Sequence, residues 1–414
     1  MHLTDEEQRM LAGDFGKAIQ QAIEYQVKVG KYYNAKCFVP ISQAHITADI
    51  EVMGDIGLQF LQNLTEVENG KFSVPATTNA RCIEFDEGST LGQKEEMIKK
   101  EKQVISSVKN LGAMTIDSCI NYQVASQPRL NENVAWGDTG TVIYANSIFG
   151  ARTNFESGPA VISAAITGRV PEYGFHIEEN RKGTVVFDVQ AEMNDLADWG
   201  MLGRIIGSKV FDYNQVPVIK NVEQYNPDSD DLKHLGASMA TWSVAMFHVV
   251  GVTPEASTVE EATGHKDNIE VITITKNDLI NEYQSFKYED PHAGVIVLSG
   301  PQLSLTEIRK VSNLLEGQKI AKGTTFIITT PESTYKQAEQ SGFVQKIRDA
   351  GGIFLRGVCF YILDGLTDIR KQNQWSTLVT NSVKLANNVK AHRFIPVVRT
   401  TEECIETAVR GSLE

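Results

Sequence analysis

From about residue 268 to residue 409, short apolar runs alternate with amphipathic segments of helical period, and this alternation constrains the fold most. Strands are predicted at ITITK (272–276), 293–298, 324–330, 353–360 and 394–398. Helices are predicted at 276–284, 305–315, 334–350, 379–389 and 401–409. Neighbouring parallel strands need a crossover, and a helix of this length supplies one, so the pattern implies βαβ units. The expected class is α/β with largely parallel sheets. Ligands in such sheets sit outside the carboxyl ends of strands. Those ends are Ser299, Gly300, Pro301 and Gln302, then Thr329, Thr330 and Pro331, then Cys359. The segment TNSVK opens a helix at Ser382, whose N–H groups favour an anion, with Lys384 adding charge; an ordinary N-cap beside a surface lysine explains the same residues.

The earlier part is less regular. A capping box, Thr4 with Glu7, opens a helix predicted over 4–30. A strand at 36–40 leads into SQAHIT, which carries Ser42 and His45. A helix is predicted at 53–64, then a strand at 72–75 running into Thr77, Thr78 and Asn79. The charged helix at 94–110 leads to Cys119, which is either a small core residue or a metal ligand at a strand end. Further on come a strand at 183–189, a helix at 195–208, a loop at 221–233 and a small-residue apolar stretch at 236–256, where His248 is read as a core histidine. Two regions are expected, 1–265 with the substrate-binding core and 266–414 with the βα repeats.

Residues 135–181 place Tyr144, Asn146, Ser147, Arg152, Thr153, Asn154, Glu156 and His176 among six glycines and two prolines. That density of polar side chains and glycine suits a pocket walled by close backbone. A Gly-rich turn region with satisfied polar groups suits it too.

With 39 basic and 52 acidic residues the formal charge is −13, so nucleic acid is not the expected partner. The N-terminus lacks the pattern of a signal peptide, and no apolar run reaches membrane-spanning length. Five scattered cysteines without a CxxC pair argue against a disulfide framework or zinc ribbon and fit a reducing cytoplasm. P-loop, HExxH, GxSxG and strand-following GxGxxG motifs are absent.

Several segments, in order along most of the chain, resemble the large subunit of the aconitase X family: SQAHIT, VPATTNA, SCINY, YANSIFGARTNFESGP, AAITGRVPEYGFHIEENR, ADWGMLG and TNSVKLA. The resemblance implies an aconitase-like multi-domain α/β/α architecture without the swivel domain. It implies a hydro-lyase that dehydrates a small hydroxy acid of the mevalonate 5-phosphate or cis-3-hydroxy-L-proline class, at an iron–sulfur cluster or mononuclear iron. A separate small subunit would carry the swivel domain and the catalytic base, a serine in aconitase relatives. By the same resemblance Cys119 and Cys359 are metal ligands, and Asn146, Ser147, Arg152, Thr153 and Asn154 form the substrate cradle, with Arg152 forking onto a carboxylate. Ser42, His45, Thr77, Thr78, Asn79, Ser382 and Lys384 are further substrate-binding candidates. Many members carry a Gly-Cys-Pro-His turn where this chain reads VIVLSGPQLSL, which puts Gly300 at the third cysteine and Gln302 at the histidine. A conventional three-cysteine cluster cannot form from these positions; a smaller cluster, mononuclear iron, or Cys82 as third ligand are the alternatives. A cluster-deficient binding or regulatory subunit is the competing function.

Overall fold

The computed structural model describes residues 1–67, 69–86, 91–210 and 212–414. Its sheets are built from parallel strands, apart from one short antiparallel pair, Phe38–Pro40 with Arg169–Pro171. A five-stranded sheet has the order Ile353–Arg356, Thr325–Thr330, Val295–Leu298, Thr377–Thr380, Ile395–Val398, every neighbour parallel. The chain leaves Val295–Leu298 in one direction and returns to its other side with Thr377–Thr380. The sheet therefore switches between those two strands, where a crevice opens at their carboxyl ends.

A three-stranded parallel sheet orders Ala76–Thr78, Ala44–Ile46 and Ala135–Trp136. A four-stranded parallel sheet orders His248–Val249, Pro217–Lys220, Val185–Val189 and Val271–Ile274. Val271–Ile274 pairs with Val185–Val189, so the predicted boundary after residue 265 parts two strands of one sheet. The strand is assigned to the later repeats by pattern but pairs with the earlier unit.

Helix boundaries follow local chemistry. The predicted helix over 4–30 is two helices, Asp5–Ala12 and Lys17–Tyr32, because Gly13 takes a left-handed conformation (φ 88°) and ends the first. The segment 334–350 likewise divides into Glu332–Gln340 and Phe343–Ala350, with Gly342 between them. Asp228 and Asp231 form a capping box that starts Ser229–Ala240 inside the predicted loop 221–233. The predicted strand at 72–75 is displaced to Ala76–Thr78, and the one at 353–360 stops at Arg356.

Helix Leu196–Val210 lies against Ser229–Ala240 and the short helix Val383–Asn388. A Cβ on Gly203 would stand 2.4 Å from the Leu235 carbonyl oxygen, and one on Gly200 would stand 2.9 Å from Val383. Only glycine permits this approach, which seats the segment carrying Ser382 and Lys384. No helix among the described residues is long and apolar enough to cross a membrane.

Candidate functional site

The carboxyl ends of the three- and five-stranded sheets face each other. Backbone hydrogen bonds stitch them together: Arg81 N–H to Gly357 O at 2.8 Å, Cys359 N–H to Arg81 O at 3.2 Å, and Asp364 N–H to Cys82 O at 3.0 Å. Arg81 strengthens this seam, pairing with Asp117 at 2.9 Å and donating to the Arg356 carbonyl at 3.0 Å.

Two thiols are buried in the crevice, Cys119 and Cys359. Gln302 joins their loops. Its side-chain oxygen accepts the Cys119 N–H at 3.2 Å, and its amide donates to the Asp117 and Val358 carbonyls at 3.2 and 3.1 Å. Its backbone N–H points at the Cys119 sulfur at 3.3 Å. Burial pushes the Cys119 thiol up to about 11, helped by Asp138 and opposed by Lys384 and the Gln302 N–H. Cys359 is raised further, by burial and then by Cys119 itself.

Lys384 supplies the compensating charge. It is buried, and Asp138 lies 3.8 Å from its Nζ. Burial opposes its charge, but Asp138 and both thiols hold its pKa above the ordinary lysine value. Helix Val383–Asn388 positions it. Ser382 caps that helix, accepting the Leu385 N–H at 3.1 Å, and its hydroxyl donates to the Gly300 carbonyl. Ser382 thus fastens the two strand ends at the switch point.

Asp138 was missed in the sequence. It follows Ala135–Trp136 and caps helix Thr139–Ile148 through Gly140 N–H at 2.9 Å and Thr141 N–H at 3.3 Å. Its N-cap signature, an Asp between a short apolar strand and TGTV, reads as structure; the adjacent lysine is remote in sequence.

The three-stranded sheet adds His45, Thr77 and Asn79. His45 Nδ1 pairs with Thr77 Oγ1 at 2.8 Å, and burial lowers its pKa to about 4, so the ring is neutral at pH 7. His45 Nε2, Thr47 Oγ1 and Asn79 Oδ1 are buried polar atoms without a hydrogen-bond partner. The cluster lies at adjacent strand ends, and the Asn79 side chain acts on His45 as a hydrogen-bond partner that opposes the effect of burial. Thr78 instead bonds Asp117 at 3.0 Å and shapes the Cys119 loop.

The residues of the expected cradle are hydrogen-bonded as follows. Asn146 donates to the Thr153 and Ala245 carbonyls and accepts the Thr153 N–H. Ser147 accepts the Phe247 N–H, Thr153 accepts the Trp136 N–H, and Asn154 bonds the backbone at Tyr173 and Phe175. Their hydrogen bonds are spent inside the protein, tying 146–154 to its neighbours. The two terminal nitrogens of Arg152 pair with Glu178, Asn131 and the His176 carbonyl, while its Nε is buried without a partner. Ser42 precedes strand Ala44–Ile46 and is exposed, on the wrong end of the sheet.

The three-cysteine cluster does not fit these residues. Gly300 offers no ligand atom, and no group of three or more His, Cys, Asp or Glu side chains is placed to hold a metal ion among the described residues. Cys82 does not replace it, since its thiol faces Glu101 in a separate buried group with Asp49. Cys37 faces Glu172, and Cys404 faces the Arg399 carbonyl. Cys119 and Cys359 are neighbours, buried, and accompanied by a lysine and an N–H that ease loss of the thiol protons.

Family models for the aconitase X first, second and third domains match residues 1–179, 183–284 and 293–410. The phosphomevalonate dehydratase large subunit of Thermococcus kodakarensis is 34% identical over 365 residues, covering 87% of this chain and 89% of that protein. The cis-3-hydroxy-L-proline dehydratase of Hypocrea jecorina is 29% identical over 99% of this chain and 69% of its own length. The crystal structure of holo-form aconitase X from Thermococcus kodakaraensis superposes with a TM-score of 0.87 at 32% identity, covering 99% of this chain and 100% of that one. The chain belongs to the aconitase X family of dehydratases.

Proposed function

We propose that this chain is the large subunit of a two-subunit dehydratase that removes water from a small hydroxy acid, with Cys119 and Cys359 as the protein ligands of a small iron–sulfur or mononuclear iron centre. One observation supports the reading: the two thiols, the Lys384–Asp138 pair and a buried, neutral His45 lie where two parallel sheets turn their strand ends toward each other. Removing hydroxide from carbon requires an acid on the leaving oxygen and a base for the proton.

When bound, iron supplies Lewis acidity for the departing hydroxyl. Lys384 holds the substrate carboxylate, its charge kept in a buried setting where an ion pair is worth more than at the surface. Asp138 keeps Lys384 pointed into the crevice. His45, neutral and aligned by Thr77, hydrogen-bonds the substrate through Nε2, with Asn79 alongside. The base comes from the small subunit, a partner consistent with the naming of the archaeal relatives as large subunits. Gly300 favours one rival reading, a binding subunit that has lost its metal.

Anaerobic co-expression with a small subunit, followed by iron and sulfide analysis, tests the proposal. Turnover is assayed with mevalonate 5-phosphate and cis-3-hydroxy-L-proline. Iron at stoichiometry near one or two per chain with dehydration of either substrate is expected. A chain that takes up no iron after reconstitution, yet binds a hydroxy acid, establishes the rival.

A further inference from the structure

Beyond the crevice, the first turns of three helices converge on a separate polar cleft of about 330 Å³. They belong to Ser229–Ala240, Leu305–Leu314 and Glu332–Gln340. The first two are capped by Asp228 and Ser304. The third is not: Pro331 offers no side-chain acceptor, so the N–H groups of its first turn have no side-chain cap. Thr334, in that turn, lines the cleft, is only 4% exposed, and its hydroxyl makes no hydrogen bond within the protein. This corner favours an anionic acceptor.

The opposite wall asks for the reverse. Asp228 and Asp230 line it, and Gln123 places its buried side-chain oxygen there without a donor. Lys233 compensates Asp230 at 2.9 Å but also serves Glu307, and Asp228 caps its own helix through Oδ1 alone, which leaves its Oδ2 without a hydrogen-bond partner. A simple anion would face two carboxylates. A simple cation would leave Thr334 and the uncapped helix unanswered.

We propose that this cleft binds a free α-amino acid as its zwitterion, carboxylate on the first turn of Glu332–Gln340 and Thr334, ammonium between Asp228 and Gln123. The remaining lining, with Ser304, Thr306 and Ser333, suits a short polar side chain. The site is distinct from the thiol crevice yet wired to it. Ile120 forms part of the cleft and follows Cys119 directly, and Lys233 donates to the Gln302 carbonyl at 3.4 Å. Occupancy therefore bears on the Cys119 loop, which gives the cleft a regulatory position.

Titration calorimetry of the full chain with L-serine tests this, with ethanolamine and acetate as half-molecules. L-Serine is expected to bind one per chain, and neither half-molecule to compete. Thr334→Val and Asp228→Asn, the second keeping a good N-cap, should each weaken binding about tenfold. Lys346→Gln, at an exposed ion pair with Glu316, should leave it unchanged. Absence of L-serine binding, unchanged binding in both Thr334→Val and Asp228→Asn, or equal binding of acetate or inorganic phosphate overturns the proposal.

Discussion

Gln302 holds Cys119 from two directions, accepting the cysteine N–H at 3.2 Å through its side chain and aiming its own backbone N–H at the sulfur at 3.3 Å. The same side chain reaches the Val358 carbonyl beside Cys359 at 3.1 Å. One residue thus fixes the spacing of both thiols. Gln302→Leu removes the side-chain bonds and leaves buried carbonyls unmet, at a cost of roughly 1–3 kcal/mol. Iron retention after anaerobic reconstitution is expected to fall well before the fold is lost, as read by metal analysis beside circular dichroism. Unaltered iron content would show that the thiols do not depend on Gln302 for their placement.

Lys384 is the charge that makes thiolates tolerable here, lowering both Cys119 and Cys359 against burial. With Lys384→Met the thiols become harder to deprotonate. Since the metal competes with the thiol protons, the pH midpoint for iron uptake should move upward. Lys384→Arg keeps the charge and should restore the midpoint in part. A midpoint unmoved in Lys384→Met would remove the lysine from the thiol environment.

Gly300 sits in the left-handed region at φ 61°, and a Cβ there would meet Leu385 Cβ at 3.4 Å, a contact that needs only a small adjustment. Gly300→Cys therefore carries a backbone penalty of about 1–2 kcal/mol but no severe collision. It adds a third thiol at the switch point. The variant is expected to bind more iron and sulfide per chain than the parent, with stronger visible absorption. An iron content equal to the parent's would mean that this position does not face the thiol pair.

How much of this was legible in the sequence follows from which signals are local. The repeats after residue 268 were readable because their helices carry capping boxes, Ser304 with Glu307 and Thr400 with Glu403, ahead of amphipathic runs. The strand Thr377–Thr380 was absorbed into the following helix, because a short, fully buried run has no alternation to mark it. Cys119 and Cys359 stood out by lying at strand ends, and Lys384 by lying in the first turn of a helix. Asn146, Thr153 and Asn154 looked like a ligand cradle because sequence displays polar groups without displaying their partners. Asp138 was invisible for the complementary reason: its helix cap is local, whereas its lysine lies more than 240 residues away.

The glycines of helix Leu196–Val210 separate stability from function. Gly203→Ala drives a methyl into the Leu235 carbonyl, a backbone atom that cannot rotate aside, so the helices must part. Overpacking of this kind costs about 1–3 kcal/mol. Gly200→Ala presses instead on Val383, the residue before Lys384. A drop in melting temperature is expected for Gly203→Ala, and a loss of turnover exceeding the loss of stability for Gly200→Ala. Equal ratios of the two effects in both variants would sink the assignment of Gly200 as a support for the lysine.

Asp49 and Glu101 form a buried carboxyl pair beneath the crevice. Glu101 accepts the Ile50 N–H at 2.8 Å, while Asp49 Oδ2 and Glu101 Oε1 have no partner. Burial raises Asp49 to about 6, with Glu51 adding, and raises Glu101 to about 7, with Asp49 adding. Both folded values lie above the ordinary ones, so the folded chain keeps protons that the unfolded chain has released between about pH 4 and pH 7. The contribution to stability is complete below pH 4 and lost as pH rises through 6 and 7. Glu101→Gln retains the acceptor for Ile50, adds a donor toward Asp49 and cannot ionise. Urea unfolding at pH 8 should show the variant more stable than the parent by on the order of 1–2 kcal/mol, the gap closing toward pH 5. A variant less stable than the parent at pH 8 would mean that Glu101 works as a carboxylate, held by an interaction stronger than the burial that opposes it.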